Sequence, residues 1–96
     1  MAYKLFTTHQ FEKDLKRCKK RGLPMDKLKE VINELVTNGR VPVQFRPHLL
    51  HGNRGGQWEC HIQPDWLLIW EQNNTELTLL MMNTGTHADL FGKTKR

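Results

Sequence analysis

The fold is decided by a stretch in the second half of the chain, residues 57–70, which reads QWECHIQPDWLLIW. From Gln57 to Ile62 polar and apolar side chains alternate, which is typical of a strand with one buried face. Residues 63–65 contain a Pro-Asp pair and predict a turn. Residues 66–70 are apolar throughout, as in a central strand that is covered on both faces. This stretch therefore predicts two adjacent strands joined by a short turn.

Shorter strand patterns lie on either side of these two strands. We expect further strands at residues 3–6, 49–52 and 77–82. The segment from residue 53 to residue 56 reads Asn-Arg-Gly-Gly and predicts a hairpin-type turn. The strands therefore predict a sheet that is mostly antiparallel and has four to five strands.

Two amphipathic helices are expected between the first strand and the rest of the sheet. Thr8 is a suitable N-cap for the first helix, whose apolar face carries Phe11, Leu15 and Cys18. The apolar face of the second helix carries Leu28, Val31, Ile32 and Leu35. A short helix is expected over residues 87–91, after Thr86. The fold class is therefore α+β, with an N-terminal helical hairpin packed on one face of the sheet and a short C-terminal helix.

Length and composition favour one small basic domain. The chain has 96 residues, which suits a single domain over residues 1–96, and a net charge of +5. No segment approaches the roughly 20 apolar residues of a membrane span, and the N-terminus lacks the apolar stretch of a secretory signal. Two cysteines are too few for a disulfide framework. We therefore expect a cytoplasmic protein that does not enter a membrane.

The positive charge is concentrated in the predicted helical hairpin. Residues 1–40 hold ten basic and five acidic residues, whereas residues 41–96 hold five of each. The densest cluster runs from Lys13 to Arg21 and includes Lys16 and Arg17. Such a helix suits a polyanion such as RNA, because phosphate contacts dominate nucleic-acid affinity. A solvated helix face without a partner explains the same pattern equally well.

Histidine is the most informative residue type for chemistry. Four of the five histidines, His48, His51, His61 and His87, lie in the neutral part of the chain. Imidazole changes its charge near neutral pH, so it is the usual general acid or base. On the polar side of the predicted strand, Glu59 and His61 are two residues apart, and Asp65 follows across the turn. The alternative is a set of surface histidines without a catalytic role.

A metal site is not expected from these residues. The pairs His48–His51 and Cys60–His61 do not repeat with the ligand spacing of a zinc site. Nucleotide-binding glycine motifs are absent as well. We therefore expect neither a metal nor another cofactor.

Four segments together resemble a known toxin family. They are residues 11–17, 47–52, 59–70 and 84–92, which read FEKDLKR, PHLLHG, ECHIQPDWLLIW and TGTHADLFG. Their order and spacing are similar to those of the YafQ branch of the RelE/ParE toxin superfamily. The resemblance covers nearly the whole chain and implies a small RelE-like fold.

The resemblance also implies an activity and its partners. Members of this branch are toxins of type II toxin–antitoxin systems and ribosome-dependent mRNA endonucleases that cleave translating mRNA in the A site. The implied partners are the ribosome with its 16S rRNA, mRNA, and a cognate acidic antitoxin. The implied toxin–antitoxin complex is hetero-oligomeric and binds DNA through the antitoxin.

Site residues follow from the resemblance by motif. The implied catalytic residues are His48, His61, Asp65 and His87. The residues expected to contact RNA are Trp66, Phe91, Glu59, Lys13, Lys16 and Arg17, the last three through the ribosome. RNA cleavage by the ribose 2′-OH needs a base, an acid and a group that stabilises the phosphorane. We expect His87 to be the acid, His48 or Asp65 the base, and His61 the group that orients the phosphate.

Two other functions remain open from the sequence. One is a non-catalytic nucleic-acid-binding or co-repressor module, for which the histidines have no chemical role. The other is a ParE-like gyrase inhibitor, since the same superfamily includes gyrase poisons. Those poisons lack this histidine set, so the four matched positions favour the endonuclease.

Overall fold

The computed structural model describes residues 2–92 and contains three helices and a five-stranded sheet. In chain order the elements are β1 (Lys4–Thr7), α1 (His9–Lys20), α2 (Met25–Asn38), β2 (His48–Leu49), β3 (Trp58–Gln63), β4 (Trp66–Asn73), β5 (Thr78–Gly85) and α3 (His87–Phe91). Single 3₁₀ turns at Val43–Phe45 and Gly52–Arg54 lie before and after β2. Between residues 2 and 92, no helix combines the length and apolar character needed to cross a membrane.

The sheet has the strand order β1-β5-β4-β3-β2. β2, β3, β4 and β5 pair in antiparallel fashion, and β1 pairs in parallel with β5. The predicted α+β fold and its mostly antiparallel sheet are therefore confirmed. β2 begins one residue earlier than predicted and ends at Leu49, and residues that were expected to continue it lead into the 3₁₀ turn that starts at Gly52, where φ is +72°.

The helical hairpin begins where the sequence predicts, and a glycine ends it. Thr8 caps α1, and its Oγ1 accepts a hydrogen bond from the backbone N–H of Phe11 at 3.0 Å. Gly39 ends α2 in the left-handed conformation, with φ at +70°. The Tyr3 ring lies directly against Gly39, so a larger side chain would overlap it. This contact holds the end of α2 against the start of β1.

Both helices pack on one face of the sheet. Their buried residues, such as Phe11 and Val31, form one cluster with Cys60 and Ile62 of β3. Because side chains alternate along a strand, Glu59 and His61 of β3 point to the other face. The helices therefore cover one face of the sheet and leave the face that carries Glu59 and His61 uncovered.

A buried carboxylate joins α1 to the end of β5. The Asp14 side chain is 1% exposed and accepts hydrogen bonds from Thr84 N at 3.1 Å and Gln10 Nε2 at 2.9 Å. Arg17 Nη2 lies 3.0 Å from Asp14 Oδ1. A buried charge is tolerated only when it is paired and hydrogen-bonded in this way. These contacts fix the strand end that leads directly into α3.

Candidate active site

Four aromatic rings form a row on the open side of the sheet. They belong to His48 in β2, His61 in β3, and His87 and Phe91 in α3. Successive ring centroids are 6.2, 5.9 and 6.3 Å apart, in that order. Residues from three separate elements therefore converge on one surface, which is the arrangement that an acid–base site requires.

Asp65, in the β3–β4 turn, binds His87, which is the last of the three imidazoles in the row. Its Oδ1 accepts a hydrogen bond from the backbone N–H of His87 at 3.0 Å and lies 2.7 Å from Nδ1 of the same residue. These two bonds lower the pKa of the Asp65 carboxyl, the backbone bond most strongly. Both side chains are more than half exposed. The pair therefore fixes the ring of His87 and leaves its Nε2 accessible to a substrate.

The anion at the start of α3 is supplied by the protein itself. The Asp65 carboxylate accepts the N–H of His87 there. A capping box is present as well: Thr86 Oγ1 accepts from Asp89 N at 3.1 Å, and Asp89 Oδ2 accepts from Thr86 N at 2.9 Å. The start of α3, and with it His87, is thereby fixed by local hydrogen bonds.

Asp89 also ties α3 to α1. Arg21 donates to Asp89 through both terminal nitrogens, at 2.6 and 3.1 Å. This bidentate contact is the main reason that the pKa of Asp89 lies well below its usual range. The short helix that carries His87 is therefore attached to the C-terminal end of a helix in the core.

Glu59 lies beneath the other two imidazoles and is 5% exposed. Its Oε1 is 3.0 Å from His48 Nε2 and 3.9 Å from His61 Nε2. The Nδ1 atoms of His48 and His61 face the backbone carbonyls of Arg46 and Pro64, at 3.2 and 3.3 Å. Each ring is therefore oriented from both ends by groups of the fold.

The same three residues are the candidate metal ligands. The ligand atoms of His48, Glu59 and His61 lie within 4.8 Å of one another. Two imidazoles and one carboxylate suit a divalent transition metal such as Zn²⁺. Sequence spacing did not indicate this group, because its members come from two strands that meet only in the sheet.

The structure brings the four expected catalytic residues together but places three expected RNA contacts differently. Trp66 is 1% exposed and its indole N–H donates to Thr84 Oγ1 at 2.9 Å, so it is a core residue that cannot frame mRNA. Glu59 is buried and orients histidines instead of meeting RNA. Arg17 is held by Asp14, by Asp89 and by the Thr84 carbonyl, which gives it a structural role, and its contact with rRNA stays a prediction.

The remaining expected RNA contacts are exposed. Phe91 is 47% exposed and ends the row of rings. Lys13 and Lys16 project to solvent from α1, which lies on the sheet face opposite to the imidazoles. These lysines therefore cannot take part at the cleavage site, and their contact with ribosomal RNA stays a prediction.

One residue beside the row was missed by the sequence analysis. The Arg54 guanidinium carbon lies 5.5 Å from the centroid of the Phe91 ring. A signal for it existed, because Arg46 and Arg54 are the only basic residues from Val41 to Gly92 apart from histidine. The Asn-Arg-Gly-Gly pattern around Arg54 predicts only a turn.

Comparison with known proteins assigns the family. Residues 3–92 match the family model described as bacterial toxin of type II toxin–antitoxin system, YafQ. The mRNA interferase toxin YafQ of Escherichia coli K12 is 39% identical over 84 residues, which are 86% of this chain and 89% of the relative.

Solved structures give the same result. The crystal structure of YafQ from Escherichia coli BL21(DE3) superposes with a TM-score of 0.87 at 34% identity, over 94% of this chain and 99% of that one. YafQ in the Escherichia coli DinJ–YafQ toxin–antitoxin complex gives a TM-score of 0.86 at 34% identity, over 96% of this chain and 100% of that one. Together with the placement of the matched motifs, these similarities show that the chain belongs to the YafQ family of bacterial type II toxin–antitoxin toxins.

Proposed function

We propose that this toxin is an mRNA endoribonuclease that cuts translating mRNA in the ribosomal A site. The observation that carries the proposal is the convergence of His48, His61, His87 and Asp65 on one open surface, with His87 Nδ1 2.7 Å from Asp65. The name of the Escherichia coli relative, mRNA interferase toxin, supports the same substrate and reaction class.

The proposed reaction begins with the ribose 2′-OH of the substrate. This hydroxyl loses its proton to a base and attacks the adjacent phosphorus, and the P–O bond to the 5′ oxygen of the next nucleotide breaks. The leaving oxygen takes a proton from an acid, and the products carry a 2′,3′-cyclic phosphate and a 5′-hydroxyl. Each proton transfer by a positioned side chain contributes about 10²–10⁴-fold to the rate. The chain supplies both groups from its own imidazoles.

His87 is the proposed general acid. Asp65 holds Nδ1 and so points Nε2, which would give up its proton, away from the carboxylate. The ring is more than half exposed, so the leaving oxygen can reach Nε2. The acid is therefore both oriented and accessible.

His48 is the proposed base. Its Nδ1 faces the Arg46 carbonyl, so the 2′-OH must approach Nε2, which lies 3.0 Å from the Glu59 carboxylate in a ring that is 48% exposed. Asp65, the other base considered from the sequence, is a weaker base because His87 lowers the pKa of its carboxyl. His61 lies between the acid and the base, where it contacts the phosphate that is being cleaved.

The proposed partners are the ribosome and an antitoxin. Lys13 and Lys16 offer exposed positive charge on α1 for ribosomal RNA. The relative that is solved with DinJ supports a cognate antitoxin for this chain as well. We expect that antitoxin to be acidic and the complex to bind DNA through it, as the family resemblance implies.

The decisive test is single-turnover cleavage of mRNA on programmed ribosomes by wild-type toxin and His87→Ala. We expect the variant to cut at least about 100-fold more slowly. His9→Ala is the matched control, because His9 is exposed at the start of α1 and does not belong to the row. A 2′-deoxyribose at the cut site should abolish cleavage by the wild type.

Other outcomes identify the other candidate functions. Ribosome binding without scission by wild-type protein would indicate a non-catalytic nucleic-acid-binding module. Arrest that begins with DNA damage and leaves mRNA intact would indicate a gyrase inhibitor. Either result would reject the endonuclease.

A further inference from the structure

Arg54 carries an unpaired positive charge next to the site. Its Nη1 donates to Gln57 Oε1 at 3.1 Å and to Asn83 Oδ1 at 3.0 Å, and both acceptors are neutral amides. None of the ion pairs found among residues 2–92 includes Arg54. Arg17 and Arg21, by contrast, are neutralised by aspartates. Arg54 is therefore a guanidinium that the fold positions but does not neutralise.

The position of Arg54 extends the row of rings by one group. Phe91 lies between His87 and Arg54, with 6.3 Å between the two ring centroids and 5.5 Å from the Phe91 centroid to the guanidinium carbon. Arg54 and Phe91 also line an open depression of about 410 Å³ together with Leu50, His51, Asn53 and Leu90. Clefts of this size hold small ligands. An exposed aromatic ring with a guanidinium beside it is a common way to bind one unstacked nucleotide.

We propose that Arg54 binds the phosphate of the nucleotide adjacent to the scissile linkage, while the base of that nucleotide stacks on Phe91 in the depression. This proposal rests on the proposed function, because it takes the linkage to be cleaved near His61 and His87. Arg54 is a substrate-binding residue here, and the protons are transferred by other groups. Two neutral hydrogen bonds hold Nη1, so the other guanidinium nitrogens can donate to a phosphate without breaking them.

The experiment measures the dependence of the cleavage rate on toxin concentration with programmed ribosomes. We expect Arg54→Ala to raise the concentration needed for the half-maximal rate by about tenfold or more, while the maximal rate changes less than about threefold. Arg54→Lys keeps the charge and should recover part of the loss. Arg40→Ala is the control, because it removes one exposed positive charge from the end of α2, away from the row, and should match the wild type.

A second measurement is independent of cleavage and of the ribosome. Wild type and variants are titrated by NMR with a 2′-O-methyl RNA hexanucleotide, while the Phe91 ring resonances are followed. Arg54→Ala should bind about tenfold more weakly, and the slope of log affinity against log salt should fall by about 0.7. Thermal melting of each variant shows that the fold is retained.

The results separate this proposal from the function on which it rests. If Arg54→Ala behaves like Arg40→Ala in both measurements, or lowers only the maximal rate, Arg54 does not bind the neighbouring phosphate. If wild type does not cleave but Arg54→Ala loses hexanucleotide binding, the endonuclease is rejected and Arg54 remains an RNA-binding residue. If cleavage occurs but no hexanucleotide shifts the Phe91 resonances at low salt, the depression is not a nucleotide site.

Discussion

Replacing Asp65 with Asn separates catalysis from stability more cleanly than any other change in the row. The carboxylate makes two bonds to His87 through the same oxygen, Oδ1, so the amide oxygen of Asn can keep both, to the backbone N–H at 3.0 Å and to Nδ1 at 2.7 Å. The amide carries no negative charge, so the contact with Nδ1 is no longer charge-assisted. The acid would then keep its orientation but lose its charged partner. We expect the single-turnover rate to fall by about 10²–10⁴-fold, the range for a general acid.

The same substitution should hardly change the free energy of unfolding. The side chains of His87 and Asp65 are 55% and 65% exposed, and a solvent-exposed ion pair contributes little to stability. The pKa of Asp65 is lower in the folded protein, so its contribution to stability is complete above its ordinary pKa of 3.8 and is lost as the pH falls below that value. Between pH 5 and pH 8 the carboxylate therefore stays ionised.

The assay is cleavage of ribosome-bound mRNA between pH 5 and pH 8, with thermal melting at the same pH values. The ratio of the wild-type rate to the Asp65→Asn rate should stay large across this range, and the melting temperatures should agree within a few degrees. A variant that cuts within threefold of the wild-type rate would refute the role of the Asp65–His87 pair. A melting temperature that falls by 10 °C or more would show that the pair is structural.

Three further predictions concern residues around the row. Asp89→Ala removes the contact with Arg21 and half of the capping box. We expect the free energy of unfolding to fall by about 2 kcal/mol and the melting temperature to fall by roughly 10 °C. An unchanged melting curve would contradict the anchoring of α3. Glu59→Gln keeps the shape of the site but removes the negative charge beside His48. The maximal cleavage rate should therefore fall about 100-fold. A rate equal to that of the wild type would exclude Glu59 as a positioning residue. Burial raises the pKa of Cys60 to about 12, so this thiol should resist iodoacetamide at pH 8 in the native protein. Labelling of Cys60 at the rate of an unfolded control would show that β3 opens.

Local sequence patterns predicted most of the fold because its signals are short-range. Thr8 and Thr86 mark helix starts through contacts within a few residues, and the structure places them as expected. The apolar run of residues 66–70 predicted a strand buried on both faces, and all five residues are buried. The parallel pairing of β1 with β5 joins residues more than 70 positions apart, and no local pattern could indicate it.

The proposed site residues came from the family resemblance, and the sequence says less about their surroundings. The matched motifs named three imidazoles and Asp65, and the structure places these four side chains on one surface. The sequence could not show that Trp66 turns toward the helices, since an apolar strand is covered on both faces and either side is consistent with the pattern. It also could not show that the carboxylate of Asp89 forms ion pairs with Arg17 and Arg21. These assignments depend on long-range contacts.

The arrangement of charges explains how so small a domain can carry an exposed acid–base site. The buried carboxylate of Asp14 joins α1 to β5, and the more exposed bidentate Arg21–Asp89 contact joins the end of α1 to α3. The imidazoles in front are solvent-accessible to different degrees, and the exposed Asp65–His87 pair contributes little to folding. Because the groups that hold the strand ends differ from the groups that move protons, the chemistry of the open face can change without loss of the core. The exception is Glu59, which is buried and contacts the row directly, and it is at this residue that stability and catalysis are coupled.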